Sequence, residues 1–597
     1  MKLPSLLTLW NGFRNVLVRF PIQSIIVLLA TGLWLATTYA PKESNQEPME
    51  KMIILCNLAF TLSLSANLFC ESRKYTSSKS LIIQVAVLLP AAMLYVFLEP
   101  FRLTSDTIRM VLSLLAGHLF VSVSFWSNRL SVLPFWHFNK ALFLRFLTGI
   151  LFSMILYAGI SIALFSIQTL FDYRFHGDIF FRLFIVVSVG FNSIFFLAGI
   201  PGLPGGDVRS PLLETSYPKI LKIFTQYVLI PLLTIYFGIL FVYELKIAFS
   251  LQLPKGTVSY LVLGYSVFGI LSYLLIYPLK DGEGNGWIRY FSKLFFWLMI
   301  PLLILLFIAI IVRVVDYGLT EKRYLIFATA IWLSAVSIYF SLWRHPRLEW
   351  IPFSLLVVLL VSIAGPQSAS NLSRMSQQAR LDKVLSSSDK GSERQKESIV
   401  RYLVDFHGFR TLQPYTERNL SEIEAAILRE PQIKRWQARQ QIRDSAFHLL
   451  HVDAGDVPSQ MIHVSSQEKF INPEGFSFVY WLEYPGNEVM KEDIGTIRIK
   501  SYHSQLVITF PDQDSIELDL TDLASEMQKR YNDPAEKKTF RRKGENSDYS
   551  VPQAWLTIKA SSKLHAAELR LQQLSFSAGD TAQIENQLFT RGFLLIK

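Results

Sequence analysis

The sequence predicts an α-helical transmembrane bundle of about 11 spans, followed by a small soluble α+β domain with a mostly antiparallel sheet. Two observations predict the bundle. Apolar stretches long enough to cross a bilayer follow one another up to about residue 365, and none occurs after it. Hydrophobic residues make up 51% of the 597 positions and the mean hydropathy is +0.32, which is too high for an ordinary soluble protein. The soluble domain is predicted by period-two hydrophobic patterns, which appear only late in the chain.

The predicted spans follow from the thickness of a bilayer. A helix needs about 20 apolar residues to cross a hydrocarbon core of about 30 Å, because its backbone polar groups must bond within the segment. The last stretch is short and contains Pro352. The predicted spans are Ile22–Ala40, Met52–Phe69, Leu81–Leu98, Ile108–Trp126, Phe146–Ile167, Ile179–Ile200, Ile223–Phe249, Val258–Tyr277, Leu294–Ile311, Tyr324–Trp343 and Trp350–Ala364. Before them, apolar residues at helical spacing from Leu3 to Leu17 predict an interfacial helix.

Basic residues predict the orientation of the bundle. Of the 28 Lys and Arg residues before Pro366, 17 fall on the N-terminal side of the predicted spans and 11 on the other side. Cytoplasmic loops carry the excess of Lys and Arg. With an odd number of spans, we expect a protein of the bacterial inner membrane with a cytoplasmic N-terminus and a periplasmic C-terminal domain. The excess of basic residues lies in loops between spans, so the pI of about 9.3 does not indicate nucleic-acid binding.

The composition change near Gly365 predicts three regions: the membrane domain over 1–365, a linker with the start of a helix over 366–390, and the extracytoplasmic domain over 391–597. The extracytoplasmic domain has no cysteine, because Cys56 and Cys70 both lie at the second span. Its first part predicts helices. Its second part predicts strands at Phe476–Tyr484, Gly495–Tyr502, Gln505–Phe510, Ser515–Leu520, Trp555–Ala560, Glu568–Phe576 and Leu588–Ile596, with a helix at Thr521–Tyr531.

Four residues are candidates for a functional polar site. Ionisable groups inside a membrane are costly, so His118, Glu244 and Lys246 are functional candidates by default. His118 is the deepest of them and suits either proton relay or a hydrogen bond to a neighbouring helix. Asp316, which follows the predicted span Leu294–Ile311, is the fourth candidate. Three asparagines within spans predict hydrogen bonds between helices: Asn57, Asn67 and Asn192.

Motifs for catalysis and cofactors are missing from the sequence. There is no Gly-x-Ser-x-Gly elbow, no His-Glu-x-x-His and no phosphate-binding Gly-x-x-x-x-Gly-Lys. His448 and His451 stand three apart, but the neighbourhood lacks a third strong metal ligand. We therefore expect no catalytic residue, no cofactor and no metal, and favour a non-enzymatic protein.

Two segments resemble a known family. They are Leu253 to Gly264 (LPKGTVSYLVLG) and Asp316 to Tyr324 (DYGLTEKRY), supported by Gly365-Pro366, Ser373-Arg374, Ser376-Gln377 and the ending from Arg591 to Lys597 (RGFLLIK). On these residues the chain is identified as a member of the bacterial multi-pass membrane proteins of the domain-of-unknown-function family numbered 4153. The resemblance implies the membrane layout. It transfers no catalytic residue.

Three classes of function remain open. The first is transport of a small or lipid-like solute, or assembly support in the cell envelope. The second is a sensor or regulator whose periplasmic domain binds a ligand or partner. The third is a membrane enzyme acting on a lipid-linked substrate. The expected partners are membrane lipids and, through the C-terminal domain, another envelope protein.

Overall fold

The structure is a computed structural model that divides the chain into two compact units, Met1–His451 and Val452–Lys597. It describes residues 6–41, 46–125, 132–173, 175, 177–202, 219–250, 257–279, 286–343, 345–386, 392–429, 435–452, 461–467, 473–484, 491–494, 497–502, 505–533, 535–542, 548–577 and 589–597. Part of one family-like segment, residues 253–256, lies outside the described residues, as do the last four residues of the predicted linker, 387–390.

The described secondary structure of the first unit is helical. Its helices are α1 (Leu6–Arg19), α2 (Pro21–Tyr39), α3 (Glu47–Ser72), α4 (Ser77–Ala86), α5 (Leu89–Phe97), α6 (Thr104–Val123), α7 (Val132–Phe171), α8 (Ile179–Ile185), α9 (Asn192–Ala198), α10 (Lys219–Phe224), α11 (Ile230–Ser250), α12 (Thr257–Ile276), α13 (Gly286–Tyr317), α14 (Glu321–Leu342), α15 (Trp350–Ile363), α16 (Ala369–Leu385), α17 (Ser392–Tyr402), α18 (Leu420–Leu428) and α19 (Arg435–Leu449). Three π-helical turns interrupt or extend them: Val186–Phe191, Thr225–Leu229 and Leu403–His407.

The predicted fold class is confirmed. Within the described residues, ten helices are long and apolar enough to cross a membrane. The segment predicted as the eleventh span forms the shorter apolar helix α15. The predicted interfacial helix is α1. The largest difference in bounds is α7, which begins at Val132, where the prediction began at Phe146.

The helix α15 runs back along α14. The backbone N–H of Arg347 donates to the hydroxyl of Tyr339 near the end of α14 (3.0 Å), and the Tyr324 hydroxyl near its start donates to the carbonyl of Gln367 (2.9 Å). Residues 347–367 therefore travel the length of α14 in the opposite direction. Fourteen residues of helix measure about 21 Å, so the flanking segments supply the rest of that length.

The helices α16–α19 belong to the first unit. The boundary between the units follows His451, later in the chain than the predicted start of the extracytoplasmic domain at 391. An ion pair joins Arg102, just before α6, to the buried Glu424 of α18. Arg443 of α19 lies 3.6 Å from Asp405 in the π-helical turn after α17.

The described residues of the second unit form two sheets and one α-helix, α20 (Leu520–Asn532). Its strands are β1 (Met461–Ser466), β2 (Phe478–Tyr484), β3 (Lys491–Ile494), β4 (Ile497–Tyr502), β5 (Gln505–Thr509), β6 (Ser515–Asp519), β7 (Arg541–Arg542), β8 (Asp548–Val551), β9 (Thr557–Ser561), β10 (Ala566–Ser577) and β11 (Phe589–Ile596). One sheet has the order β2-β11-β10-β1-β8-β7 with β9 on β10, and the other has the order β3-β4-β5-β6.

The predicted strands and the helix α20 are confirmed within a few residues of their bounds. The described strand pairs are antiparallel except β1 with β8, which is parallel. Buried apolar residues of both sheets and of α20 form one core, which includes Leu482, Ile508, Met527, Leu574 and Leu594. The second unit thus has its own hydrophobic core.

Candidate functional site

A cavity of about 770 Å³ lies among the membrane helices of the first unit. It is bounded by α2, α3, α6, α7, α9 and the π-helical turn before α9. Apolar side chains form most of its wall: Ile26, Val27, Ala30, Trp34, Ile53, Ile54, Phe60, Leu64, Leu114, Val121, Leu142, Phe143, Phe146, Val189 and Phe196. We call it the polar-band cavity, because polar residues interrupt this wall: Asn57, Thr61, His118, Ser122, Asn139, Ser188, Asn192 and Ser193.

The imidazole of His118 lines this cavity and is held through Nδ1. Its Nδ1 lies 2.8 Å from the carbonyl oxygen of Leu114, one turn earlier in α6. A carbonyl oxygen only accepts, so Nδ1 carries the hydrogen of this contact. Both His118 and Asn57 are exposed at the cavity wall, so a ligand can reach them.

The hydroxyl of Ser188 is buried and has no hydrogen-bond partner among the described residues. Ser188 belongs to the π-helical turn Val186–Phe191, which joins α8 to α9. Turns of this kind occur often at functional sites. A buried polar group without a partner costs about 1–3 kcal/mol, so a ligand or water in the cavity would stabilise it.

The amide of Asn192 lies against the bare backbone of Gly149. A Cβ on that glycine of α7 would stand 2.6 Å from Oδ1 of Asn192. A larger residue at this position would therefore displace the amide. The glycine lets α7 and α9 approach closely and fixes where the amide of Asn192 faces the cavity.

A second polar group, the Glu321–His407 cluster, is buried near the start of α14. Its residues are Asp106, Arg109, Glu321, Ser370, Ser373, Tyr402 and His407. Oε1 of Glu321 lies 4.0 Å from Nδ1 of His407, and the Tyr402 hydroxyl accepts the backbone N–H of Glu321 (3.0 Å). Asp106 pairs with Arg109 at 3.4 Å. The cluster joins α6, α14 and α16 to the π-helical turn after α17.

Burial keeps His407 neutral. Desolvation, with the guanidinium groups of Arg374 and Arg109, lowers the pKa of His407 from 6.5 to about 3. The Ser373 hydroxyl donates to the carbonyl of Ser370 (3.1 Å) and accepts from Nε2 of His407 (3.2 Å). Nδ1 is then the acceptor, and it faces the hydroxyl of Ser370 at 3.4 Å.

A Ser-His-acid triad uses the same residue types as Ser373, His407 and Glu321, although here Nε2 of His407 donates to Ser373, where a triad histidine would accept. A nucleophile must reach its substrate, however, and Ser373 is 0% exposed and Glu321 is 1% exposed. In this arrangement the cluster holds helices together and offers no surface to a substrate.

Two of the family-like segments, Asp316–Tyr324 and Ser376-Gln377, meet beside this cluster. Nε2 of Gln377 donates to the carbonyls of Tyr317 and Leu319 (both 3.1 Å), and the N–H of Leu319 donates to Ser376 Oγ (2.9 Å). Gly318 has a φ of +69°, which favours glycine, and a Cβ there would stand 2.8 Å from Nε2 of Gln377. The resemblance therefore marks a packed junction between α13, α14 and α16.

The structure separates the four predicted site residues. His118 lines the polar-band cavity. Glu244 is half-buried and Lys246 is exposed, both on α11. Asp316 is exposed at the end of α13, and its carbonyl accepts from Arg380 (3.3 Å). These three lie outside the cavity lining, and their functional role stays a prediction.

The predicted asparagine bonds are confirmed in one case. Asn67 donates to the carbonyl of Arg19 (3.1 Å) and accepts from Gln84 (3.3 Å), so it joins α3 to α1 and α4. Asn57 and Asn192 line the cavity. Sequence reasoning missed Ser188, because a serine in an apolar span carries no pattern that distinguishes it from serines bonded within their own helix.

Comparison with known proteins identifies the family. The family model described as Domain of unknown function (DUF4153) matches residues 22–399, which is more than half of the chain. The chain belongs to the DUF4153 family. The match confirms the resemblance seen in the sequence, and it includes the polar-band cavity and Glu321.

Among curated proteins, the DUF4153 chain is similar to the Uncharacterized protein PM1469 of Pasteurella multocida (strain Pm70). The two are 30% identical over 168 residues, which cover 28% of each chain. No solved structure matches the chain. These comparisons support a polytopic membrane protein and carry no activity to it.

Proposed function

We propose that this protein binds a lipid-like solute in the polar-band cavity and transports it. The single observation that carries the proposal is a cavity among membrane helices whose apolar wall contains polar side chains, among them the unpartnered hydroxyl of Ser188. Its volume of about 770 Å³ is within the range of ligand pockets, roughly 300–1,000 Å³. An apolar wall with a few placed polar groups suits an amphiphile and gives it a fixed orientation.

The lining argues against a charged solute. No Asp, Glu, Lys or Arg is among the described residues that line the cavity. An unpaired charge inside a membrane costs at least about 2.5 kcal/mol, and nothing in this lining would compensate it. Amide, hydroxyl and imidazole groups suit an uncharged polar head instead.

We also propose the inner membrane, a cytoplasmic N-terminus and a periplasmic second unit. The excess of Lys and Arg on the N-terminal side supports this orientation. Contacts within the first unit support the alternation of spans. Arg19 pairs with Glu71 (2.9 Å) and donates to the carbonyl of Ile200 (2.7 Å), and all three belong to the predicted cytoplasmic side. The return of residues 347–367 along α14 supports an eleventh crossing.

Transport is tested with the purified full-length protein in vesicles. A fluorescent single-chain alcohol is added to the outer leaflet, and its movement inward is followed by quenching. We expect the double variant His118→Leu and Asn192→Leu to slow movement at least tenfold. The matched control is Thr169→Val, which changes an exposed residue of α7 whose hydroxyl donates to Phe165. Equal rates for wild type, double variant and empty vesicles would exclude this function.

Orientation is tested with reporter fusions at Lys597. A reporter active only in the periplasm is expected to be active, and one active only in the cytoplasm is expected to be silent. The reverse pattern would show that one of the segments assigned as spans does not cross.

A further inference from the structure

A second cavity adjoins the polar-band cavity. Its volume is about 460 Å³, and it lies between α6, α7, α12, α14 and α15. Ser122, Asn139 and Phe143 line both cavities, so the two are neighbours separated by these side chains. We call it the apolar cavity, because leucine, isoleucine, valine, phenylalanine, proline and tryptophan side chains form most of its wall.

One basic residue, Lys140, lines the apolar cavity, and its Nζ lies 3.4 Å from Nδ1 of His137 and 5.2 Å from the ring centre of Trp136. The hydroxyl and indole groups of this cavity also have partners. Ser266 donates to the carbonyl of Val262 (2.8 Å), and Thr329 donates to the carbonyl of Leu325 (2.7 Å). The indole N–H of Trp136 donates to the carbonyl of Leu274 (2.6 Å). Such a wall gives a ligand apolar contact area but few donors or acceptors that are available for hydrogen bonds. The polar-band cavity, with Ser188 unpartnered, is the opposite case.

The boundary between the cavities is itself satisfied. The Ser122 hydroxyl donates to Oδ1 of Asn139 (2.6 Å), and Nδ2 of Asn139 donates to the carbonyls of Ser122 (3.2 Å) and Phe135 (3.1 Å). With both ends of its amide engaged, Asn139 is not free to bind a polar head. The unpartnered hydroxyl found among the described lining residues, that of Ser188, therefore lies on the side of the polar-band cavity.

We infer that the bound molecule is a single-chain amphiphile with an uncharged, hydroxyl-bearing head, whose head occupies the polar-band cavity and whose alkyl or polyprenyl chain passes Ser122 and Asn139 into the apolar cavity. The inference rests on the proposed function, because it assigns the solute of the same site. Asn57, His118, Ser188 and Asn192 supply donors and acceptors for hydroxyls. A phosphate head would bring a charge that no lining residue of the polar-band cavity neutralises.

Chain length is the first test. Full-length protein stripped of lipid in detergent is titrated with monoacylglycerols of increasing chain length. Each methylene that enters an apolar site raises affinity about fourfold, so affinity is expected to climb and then level off when the apolar cavity is full. The variant Leu271→Trp, which fills that cavity from α12, is expected to remove the increase for long chains while short chains bind as before.

Controls separate this loss from a folding defect. Leu355→Trp fills the same cavity from α15 and should have the same effect. Ile160→Trp lies on the outer face of α7 and should leave the chain-length dependence unchanged. The phosphate-headed analogue of the same chain should bind at least tenfold more weakly. Equal binding of the two heads would overturn the uncharged head.

Cross-linking locates the chain. A monoacylglycerol with a diazirine at its chain end is photolysed on the protein, and the modified peptides are identified by mass spectrometry. Adducts within α12 or α15 support the inference. Saturable adducts confined to α2, α3 or α9 would overturn it while leaving the proposed function intact. If no monoacylglycerol binds saturably, the proposed function fails together with this inference.

Discussion

Nδ1 of His407 lies 4.0 Å from Oε1 of Glu321, and both side chains are almost completely buried. One belongs to the first turn of α14, and the other ends the π-helical turn that follows α17. Their contact joins the membrane helix α14 to α17, which follows the membrane segments.

The contribution of the neutral His407 imidazole to stability is expected to decrease in acid. The pKa of His407 is about 3 in the folded protein and 6.5 ordinarily, so between these values the unfolded chain binds a proton that the folded chain does not. The stability that His407 contributes is therefore present above pH 6.5 and is lost as the pH falls toward 3. This group changes the free energy of unfolding by up to about 1.4 kcal/mol per pH unit. Thermal unfolding of the wild type and of His407→Gln in detergent, compared between pH 7.5 and 4.5, measures this contribution.

The variant His407→Gln isolates this effect. It keeps a polar side chain that does not titrate, so its unfolding temperature is expected to fall less steeply with acid than that of the wild type. His345→Gln, at an exposed loop position, is the control and should preserve the slope. Parallel curves for wild type and His407→Gln would contradict the burial of a neutral imidazole.

Gly318→Ala is expected to destabilise the first unit. The φ of +69° is strained for alanine, and the new Cβ would meet the side chains of Gln377 and Arg380. The cost is about 1–3 kcal/mol. Gly159→Ala is the matched control, because no atom lies within 4 Å of its added Cβ and it is inside α7. That change should be neutral or stabilise by about 0.5–1 kcal/mol. Thermal shift measures both, and equal unfolding temperatures would refute the account of the junction.

Ser188→Ala is expected to separate stability from binding. Removing a buried hydroxyl without a partner stabilises the empty protein by about 1–3 kcal/mol. The same change removes a donor from the polar-band cavity, so solute binding should weaken. Ser272→Ala is the control. Its buried hydroxyl donates to Phe268, so its removal should not stabilise. A destabilised Ser188→Ala protein with normal binding would show that this hydroxyl is satisfied.

Gly592→Ala is expected to destabilise the second unit. A Cβ on this residue of β11 would stand 2.6 Å from the backbone oxygen of Arg570 and 2.8 Å from Cα of Leu571, in the paired strand β10. Backbone atoms of a central strand cannot move aside cheaply, so the cost is about 1–3 kcal/mol. Lys563→Ala, at an exposed position, should change stability by less than about 0.5 kcal/mol. Hydrogen exchange of the β10 amides distinguishes the two variants. Unchanged protection in Gly592→Ala would contradict the register of β10 with β11.

The spans were predictable because a bilayer demands length and hydropathy, which a sequence shows directly. The start of α7 was not predictable, because the segment from Val132 to Arg145 contains His137, Lys140 and Arg145 and therefore resembles a loop. Burial of Phe135, Trp136 and Phe138 keeps it helical. In the second unit, the prediction missed β1, β3, β7 and β8. The strands β3, β7 and β8 have four residues or fewer, which carry too little pattern, and β1 has no clean alternation of apolar and polar residues.

The sites were predictable only in part. A single histidine in a span suggested His118, since ionisable residues are rare there. The partnership of Glu321 with His407 depends on the chain reversals at Gly318 and before α16 and on the π-helical turn that continues α17, and no local spacing encodes it. The role of Ser188 depends on what its hydroxyl fails to contact, which only tertiary structure shows.

The most direct test of the account is an electron cryomicroscopy map of the full-length protein purified with a saturating long-chain monoacylglycerol. We predict one elongated non-protein density with its head beside Asn57, His118 and Asn192 and its tail continuing past Asn139 toward Leu271. A polar-band cavity that is empty, or that holds only water beside Ser188 while lipid covers the outer surface, would contradict the account.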